Sequence, residues 1–536
     1  MSYDNPNYSR PPPPPPPPQQ QPQYGQQQQI DPNQQYQQQP QYQEEPYDIE
    51  NQKYQSYYEK PVPAQDFEES FKVEKPKFND WPFTVFFLLV VAGFVAVAGI
   101  TLNALRVTYS FQGGSIYDSG NTFSLNTNTI ILFSFVIVVG IVLSALIIVF
   151  ARMAPKLFII SGLILNIVLG IGTAIYYFVA GYYSAAIVFL VFALIGAWAY
   201  WRARSRIPLS ATILTIAIDV MKQYPSTLMT SFIGLLVSAA FSVLFSVVIV
   251  ATYVKFDPNT NNEACSVGGG SCSQSKLIGV LVFVFFAGYY ISEVIRNVIH
   301  VVISGIYGTW YYLASSDQGA PRHPALSSLK RALTYCFGSI SFGSLIVSLI
   351  QLLRQLFAIL RSNFAAEGNG WAVCGMIVLD FILGFIDWLV RYFNHYAYCY
   401  VALYGKSYIR AAKDTFDLLR FKGMDVLIND MFINTALNLY SLFVAYVVAL
   451  LAFFYLRFTK PAYNDDGSFY APVIAFSFLI AAQITRVTLT VIESGISTFF
   501  VALAKDPEIF QMTNRQRFDE IFRNYPQVLE KITTDH

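Results

Sequence analysis

In the stretch GYYISEVIRNVIHVVISG, Glu293, Arg296, Asn297, His300 and Ser304 recur every three or four residues within an otherwise apolar run. On a helix that spacing gathers all five on one face. Ionisable groups at membrane depth are costly, so they border a water-filled cavity or pair with one another. Two readings follow. In one, the face lines a polar pathway, with Glu293 an anionic contact and His300 a proton acceptor near neutral pH. In the other, Glu293 pairs internally with Arg296 or Asn297 and fixes helix packing. Tyr289 and Tyr290, just before Glu293, suit a cation–π cage for a quaternary ammonium, and equally an interfacial aromatic belt.

Asp380 and Asp387 lie seven residues apart and so share a helix face, with Arg391 one turn beyond Asp387. An Asp387–Arg391 pair reads as structural. Asp380 sits near the middle of its apolar run with no basic residue in that run. A buried lone carboxylate holds its proton or needs a cationic partner, which makes Asp380 the leading single candidate for a cation or proton site. A third polar face, Gln483, Arg486 and Glu493, offers Arg486 as its partner. Tyr176, Tyr177, Tyr182 and Tyr183 read as an interfacial belt.

The elements that must position these groups are ten apolar stretches, at 81–105, 130–150, 157–180, 184–201, 226–254, 277–305, 333–353, 371–390, 432–455 and 471–503. About 20 such residues span the hydrocarbon core as a helix, and a chain in lipid must satisfy its backbone polar groups internally. The expected fold class is all-α, a polytopic membrane protein of about ten transmembrane helices in contact with the lipid bilayer. Charged residues make up 13% of the chain, well below the roughly 25% of soluble domains, because membrane burial excludes them. The net charge of +1 gives no ground for nucleic-acid binding.

No cleavable signal peptide precedes the first span. Basic residues collect in alternate connections, among them Arg202, Arg204 and Arg206, then Lys406, Arg410 and Lys413. The positive-inside rule then puts both termini in the cytoplasm. Arg354 and Arg361 fall in a short outer connection. Cys265 and Cys272, in a Gly-rich loop, also fall outside, where a disulfide persists; the rival reading, a metal site, has only half a tetrahedral shell. Cys336, Cys374 and Cys399 read as small buried residues. Residues 211–221 have the spacing of a helix lying at the inner interface, and 394–430 read as a cytoplasmic helical hairpin under the bundle.

Residues 1–75 are Pro- and Gln-rich, with eight consecutive prolines from Pro11 to Pro18. Such a segment reads as a disordered cytosolic tail. Arg10, Pro13 and Pro16 match an SH3-ligand spacing, so cytosolic proteins are candidate partners of the tail. Residues 76–505 form the transmembrane domain and 506–536 a cytosolic C-terminal tail. No P-loop, HExxH or GxSxG motif is present. The expectation is a protein that is not an enzyme, with no cofactor, no metal site and no primary pumping.

The stretch GYYISEVIRNVIHVVISGIYGTWYY, the RSRIPLS after the fourth span and NHYAYCYVALYGKSYIRAAKDTFDLL resemble the choline transporter-like family, the solute carrier 44 group. KPKFNDWPF, the Pro/Gln-rich tail and the Cys265 to Cys272 loop look like its fungal members, the pH-nine-sensitive proteins. The resemblance implies about ten helices, a plasma-membrane location and facilitated movement of choline or a related small organic cation, with protons as counter-ions. Glu293 and 305–312 match the family's sixth-span motif; Asn394, Ala397, Ala402, Gly405 and Phe416 match its cytosolic signature. The loop 106–129 is shorter than in many animal members. The rival to transport is a membrane scaffold or sensor acting through its tail.

Overall fold

The computed structural model describes residues 77–108, 127–258, 263–267, 272–313, 322–368, 370–460 and 470–524. The expectations for the tail 1–75, including Arg10, Pro13 and Pro16, lie outside the described residues. Among the described residues there are fourteen α-helices and no strand. Ten are long and apolar enough to cross a membrane. They are α1 (Trp81–Thr108), α2 (Thr127–Met153), α3 (Pro155–Val179), α4 (Tyr183–Arg202), α6 (Ser226–Phe256), α7 (Gln274–Leu313), α9 (Phe337–Ala366), α10 (Gly370–Tyr404), α11 (Tyr408–Thr459) and α12 (Tyr470–Lys505). The all-α, multi-pass architecture read from the sequence is the one observed.

Large apolar side chains such as Trp371, Val179 and Phe458 point outward, each more than four-fifths exposed. Lipid is the solvent such surfaces suit. Inside, two apolar clusters hold the helices together. One joins Phe87, Phe94, Val248, Val284 and Tyr290; the other joins Leu132, Val136, Val444, Val448 and Ala481. The centre is α12, which packs on α2, α5 (Ile207–Gln223), α6, α7, α10 and α11.

Several elements differ from expectation. Residues 211–221 do form the helix α5, but it is not laid on the membrane surface: Ile213, Leu214, Ile216, Ala217 and Val220 are buried in the base of the bundle. The 394–430 hairpin is no separate element. It is built from the continuation of α10 to Tyr404 and the start of the 52-residue α11 at Tyr408. Gly405 makes the turn at φ +61°, a conformation only glycine adopts freely. Arg354 and Arg361 are not in a loop, because α9 runs on to Ala366. Cys336 and Cys399 are buried as expected, whereas Cys374 is exposed.

The two ends of the bundle are closed differently. At one, Cys265 and Cys272 form a disulfide between α6 and α7. Lys255 binds this loop, donating to the carbonyls of Ala264 at 3.1 Å, Cys265 at 2.9 Å and Val267. At the far end, Asn79 Nδ2 donates to Gly405 O at 2.6 Å, and the Asp80 carboxylate accepts from Ser339 Oγ and Tyr408 N, each at 2.7 Å. Tyr408 also donates to Asn394 Oδ1 at 2.5 Å, and burial pushes its phenol up to about 12. Also at this end, α13 (Pro507–Thr513) and α14 (Arg515–Asn524) bury Phe510, Phe518 and Phe522. Arg152 and Arg517 both bind Asp219 of α5, at 2.5 and 2.6 Å.

Candidate functional site

The 40-residue α7 is roughly 60 Å long at 1.5 Å per residue, about twice the hydrocarbon thickness. Its polar stripe occupies the second half of the helix, from Glu293 onward. Glu293, Asn297, His300, Ser304, Tyr307 and Tyr311 are all buried and face α9, α10 and α12. Arg296 is one step off the stripe, and its side chain is 55% exposed. Gln483 and Arg486 of α12 are also exposed, and Glu493 is half-buried beneath them.

The charges form a ladder. Glu293 accepts from Arg296 at 2.5 Å through Oε2 and from Arg391 at 2.6 Å through Oε1. Arg391 Nε donates to Asp387 Oδ2 at 2.9 Å, and Arg354 Nη1 lies 3.9 Å from the same oxygen. Arg354 Nε donates to Asp380 Oδ1 at 3.1 Å. Three carboxylates thus alternate with three guanidiniums across α7, α10 and α9. Asp387–Arg391 is the pair read from the sequence. Asp380 is not lone: its partner is Arg354, not Arg486, because the long α9 carries Arg354 back into the bundle. Glu293 is paired with Arg296, as the second sequence reading has it, and also with Arg391.

Below the ladder the stripe is neutral. Asn297 Nδ2 donates to Ser344 Oγ at 2.9 Å and to Tyr398 Oη at 3.4 Å. His300 Nε2 lies 2.8 Å from the His395 carbonyl, which can only accept, so Nε2 carries the hydrogen; Nδ1 is 2.8 Å from Ser494 Oγ. The His300 ring stacks on His395 at 4.0 Å, which disfavours positive charge on either. With both nitrogens occupied, His300 is poorly placed as a mobile relay. Cys399 Sγ, Ser497 Oγ and Ser304 Oγ continue the path. At the far end Tyr312 and Tyr404 donate to Asp506 Oδ2 at 2.6 and 2.8 Å, and Tyr311 donates to Asp506 O at 2.9 Å.

The tyrosines proposed as a cage do not form one. Tyr290 turns away into the first apolar cluster, its ring edge-on to Phe87 at 5.2 Å. Tyr289 donates weakly to Gln355 Oε1 at 3.4 Å.

Two carboxylates remain outside the ladder. Asp430, 2% exposed, accepts from Asn434 Nδ2 at 3.1 Å. Neither it nor Glu493 has an ion-pair partner among the described residues. Within the described spans the carboxylates are five (Glu293, Asp380, Asp387, Asp430, Glu493), and three of them are ion-paired. Sequence reasoning missed Asp430 because a cytoplasmic hairpin was expected there; its place at the start of a long apolar run was the available signal.

A family described as "Plasma-membrane choline transporter" matches residues 187–508. The chain belongs to the choline transporter-like family. Within that family it is 83% identical over 480 residues to Protein PNS1 of Candida albicans, covering 90% of this chain and 93% of the relative. It is 55% identical over 477 residues to Protein PNS1 of Saccharomyces cerevisiae, covering 88% of each. It is 44% identical over 468 residues to Protein PNS1 of Gibberella zeae, covering 87% and 86%. All five enclosed carboxylates of this choline transporter-like chain lie within the matched span.

Proposed function

We propose that this protein is a plasma-membrane transporter, without enzymatic activity, that carries choline or another small organic cation. The disulfide end faces outside and both termini lie in the cytoplasm. One observation carries the reading: Glu493, half-buried on α12 with Arg486 and Arg296 near it, has no ion-pair partner among the described residues. An organic ammonium arriving there supplies one. Desolvating a cation is costly unless a carboxylate receives it, and of the half-buried carboxylates within the described spans only Glu493 has no ion pair. The family description supports the substrate class. In this reading Glu293, Asp380 and Asp387 hold the pathway helices together, and Tyr289 and Tyr290 are packing residues.

The test is radiolabelled choline uptake into proteoliposomes holding the purified protein, with and without an imposed pH gradient. Saturable uptake above that of empty liposomes is expected. Folded protein giving no more flux than empty liposomes removes choline, and turns attention to a scaffold role for the tail.

A further inference from the structure

A second carboxylate site lies deeper than Glu493, where α11 faces α10. Among the described residues, Asp430 accepts one well-formed hydrogen bond, from Asn434. The hydroxyls of Tyr392 and Tyr396 turn toward the same carboxylate, yet neither meets a partner at hydrogen-bonding geometry, and Asn434 Oδ1 is likewise buried without one. Tyr396 is wholly buried. Oxygens left this way are unusual in folded proteins and call for an explanation.

Neutral donors orient a carboxylate but do not cancel its charge, and an uncompensated buried ion is strongly disfavoured. Among the described residues, the surrounding groups do not supply the missing charge. From α12 comes Glu493, itself an acid, with Arg486 and the Arg296 of α7 felt beyond it; Arg296 already holds Glu293. From α10 come the two phenols, the Cys399 thiol and His395, whose Nε2 faces the Glu493 carbonyl at 3.5 Å. His300 of α7 is stacked behind His395.

We propose that Asp430, Asn434, Tyr392 and Tyr396 form a binding site for a small inorganic monovalent cation, a proton or an alkali ion. The donors are all oxygens, the set that hard cations prefer. With a single carboxylate among them, a monovalent charge is matched. Asp430 is too enclosed to admit a trimethylammonium group. This site does not rest on the transport reading.

The test uses the purified full-length protein, its thermal unfolding followed in lithium, sodium, potassium and caesium chloride at equal ionic strength, and then across a descending pH series. A ligand bound only by the folded state raises the melting temperature with its concentration. A rise of several degrees that depends on alkali size in wild type, and vanishes in Asp430→Asn, identifies an alkali ion. Equal melting in all four salts, with stability that climbs as pH falls in wild type but not in Asp430→Asn, identifies a proton. If Asp430→Asn does not fold, Tyr396→Phe and Asn434→Ala must weaken the same response. Absence of any ion or pH response, or one unchanged in the variants, overturns the site. A protein that shows the response yet transports no choline separates this inference from the proposed function.

Discussion

The ladder of Glu293, Asp380 and Asp387 and the pair Asp430 and Glu493 are built from the same functional group in the same bundle, yet they stand in opposite electrostatic states. Every ladder carboxylate touches a guanidinium, Glu293 two of them and Asp387 Arg391 with Arg354 nearby. Asp430 and Glu493 touch none among the described residues. A buried ion pair is weak support for net stability, because desolvation offsets attraction, but breaking one is expensive. The buried part of the ladder, Glu293 and Asp387 with Arg391, is therefore scaffold that cannot be disturbed cheaply. In the transport reading proposed above, the unpaired acids and not the ladder are the candidate cation contacts.

The comparison breaks most sharply at Glu493→Gln. If this acid receives the organic cation, choline uptake falls to the level of empty liposomes while the melting temperature stays near wild type; retained uptake would move the binding site elsewhere. Arg391→Ala strips Glu293 of its partner across helices and Asp387 of its closest one, so a loss of about 3–5 kcal/mol is expected, read as collapse of the monodisperse peak in size-exclusion chromatography. Glu293→Gln leaves Arg391 bound to Asp387 and Arg296 half in water. It should cost roughly 2 kcal/mol and keep measurable uptake, and abolished uptake at normal folding would return Glu293 to the pathway. Smallest is Asp380→Asn. Its pair with Arg354 is about one-third exposed on both sides, so a change below about 1 kcal/mol in thermal unfolding is expected.

The ten spans were legible in the sequence because lipid imposes a length and a composition that nothing else in the chain imitates. The stripe on α7 was legible from helical spacing, and the Asp387–Arg391 pair from its single-turn separation. What was hidden is what depends on neighbours. Arg354 looked like a loop residue, because a charge ends an apolar run when read along the chain; in space it is drawn into α9 by Asp380 and Asp387. Tyr290 lies three residues before Glu293, about 60° away around the helix, and that offset with its place one turn nearer the outer half sets its ring among phenylalanines. Asp430 sits where a polar turn was expected, and only the meeting of α10 with α11 reveals its enclosure.

The knot around Asp506 joins α7, α10 and the turn after α12 through three tyrosines. Any conformation that parts these helices at the far end must first release two hydrogen bonds to one carboxylate oxygen and a third to its carbonyl. At roughly 1–2 kcal/mol each, the sum is on the order of 4 kcal/mol, which holds the parted form to about one molecule in a thousand. The far end is thus shut by default, and the rarity of its opening is written into three phenols.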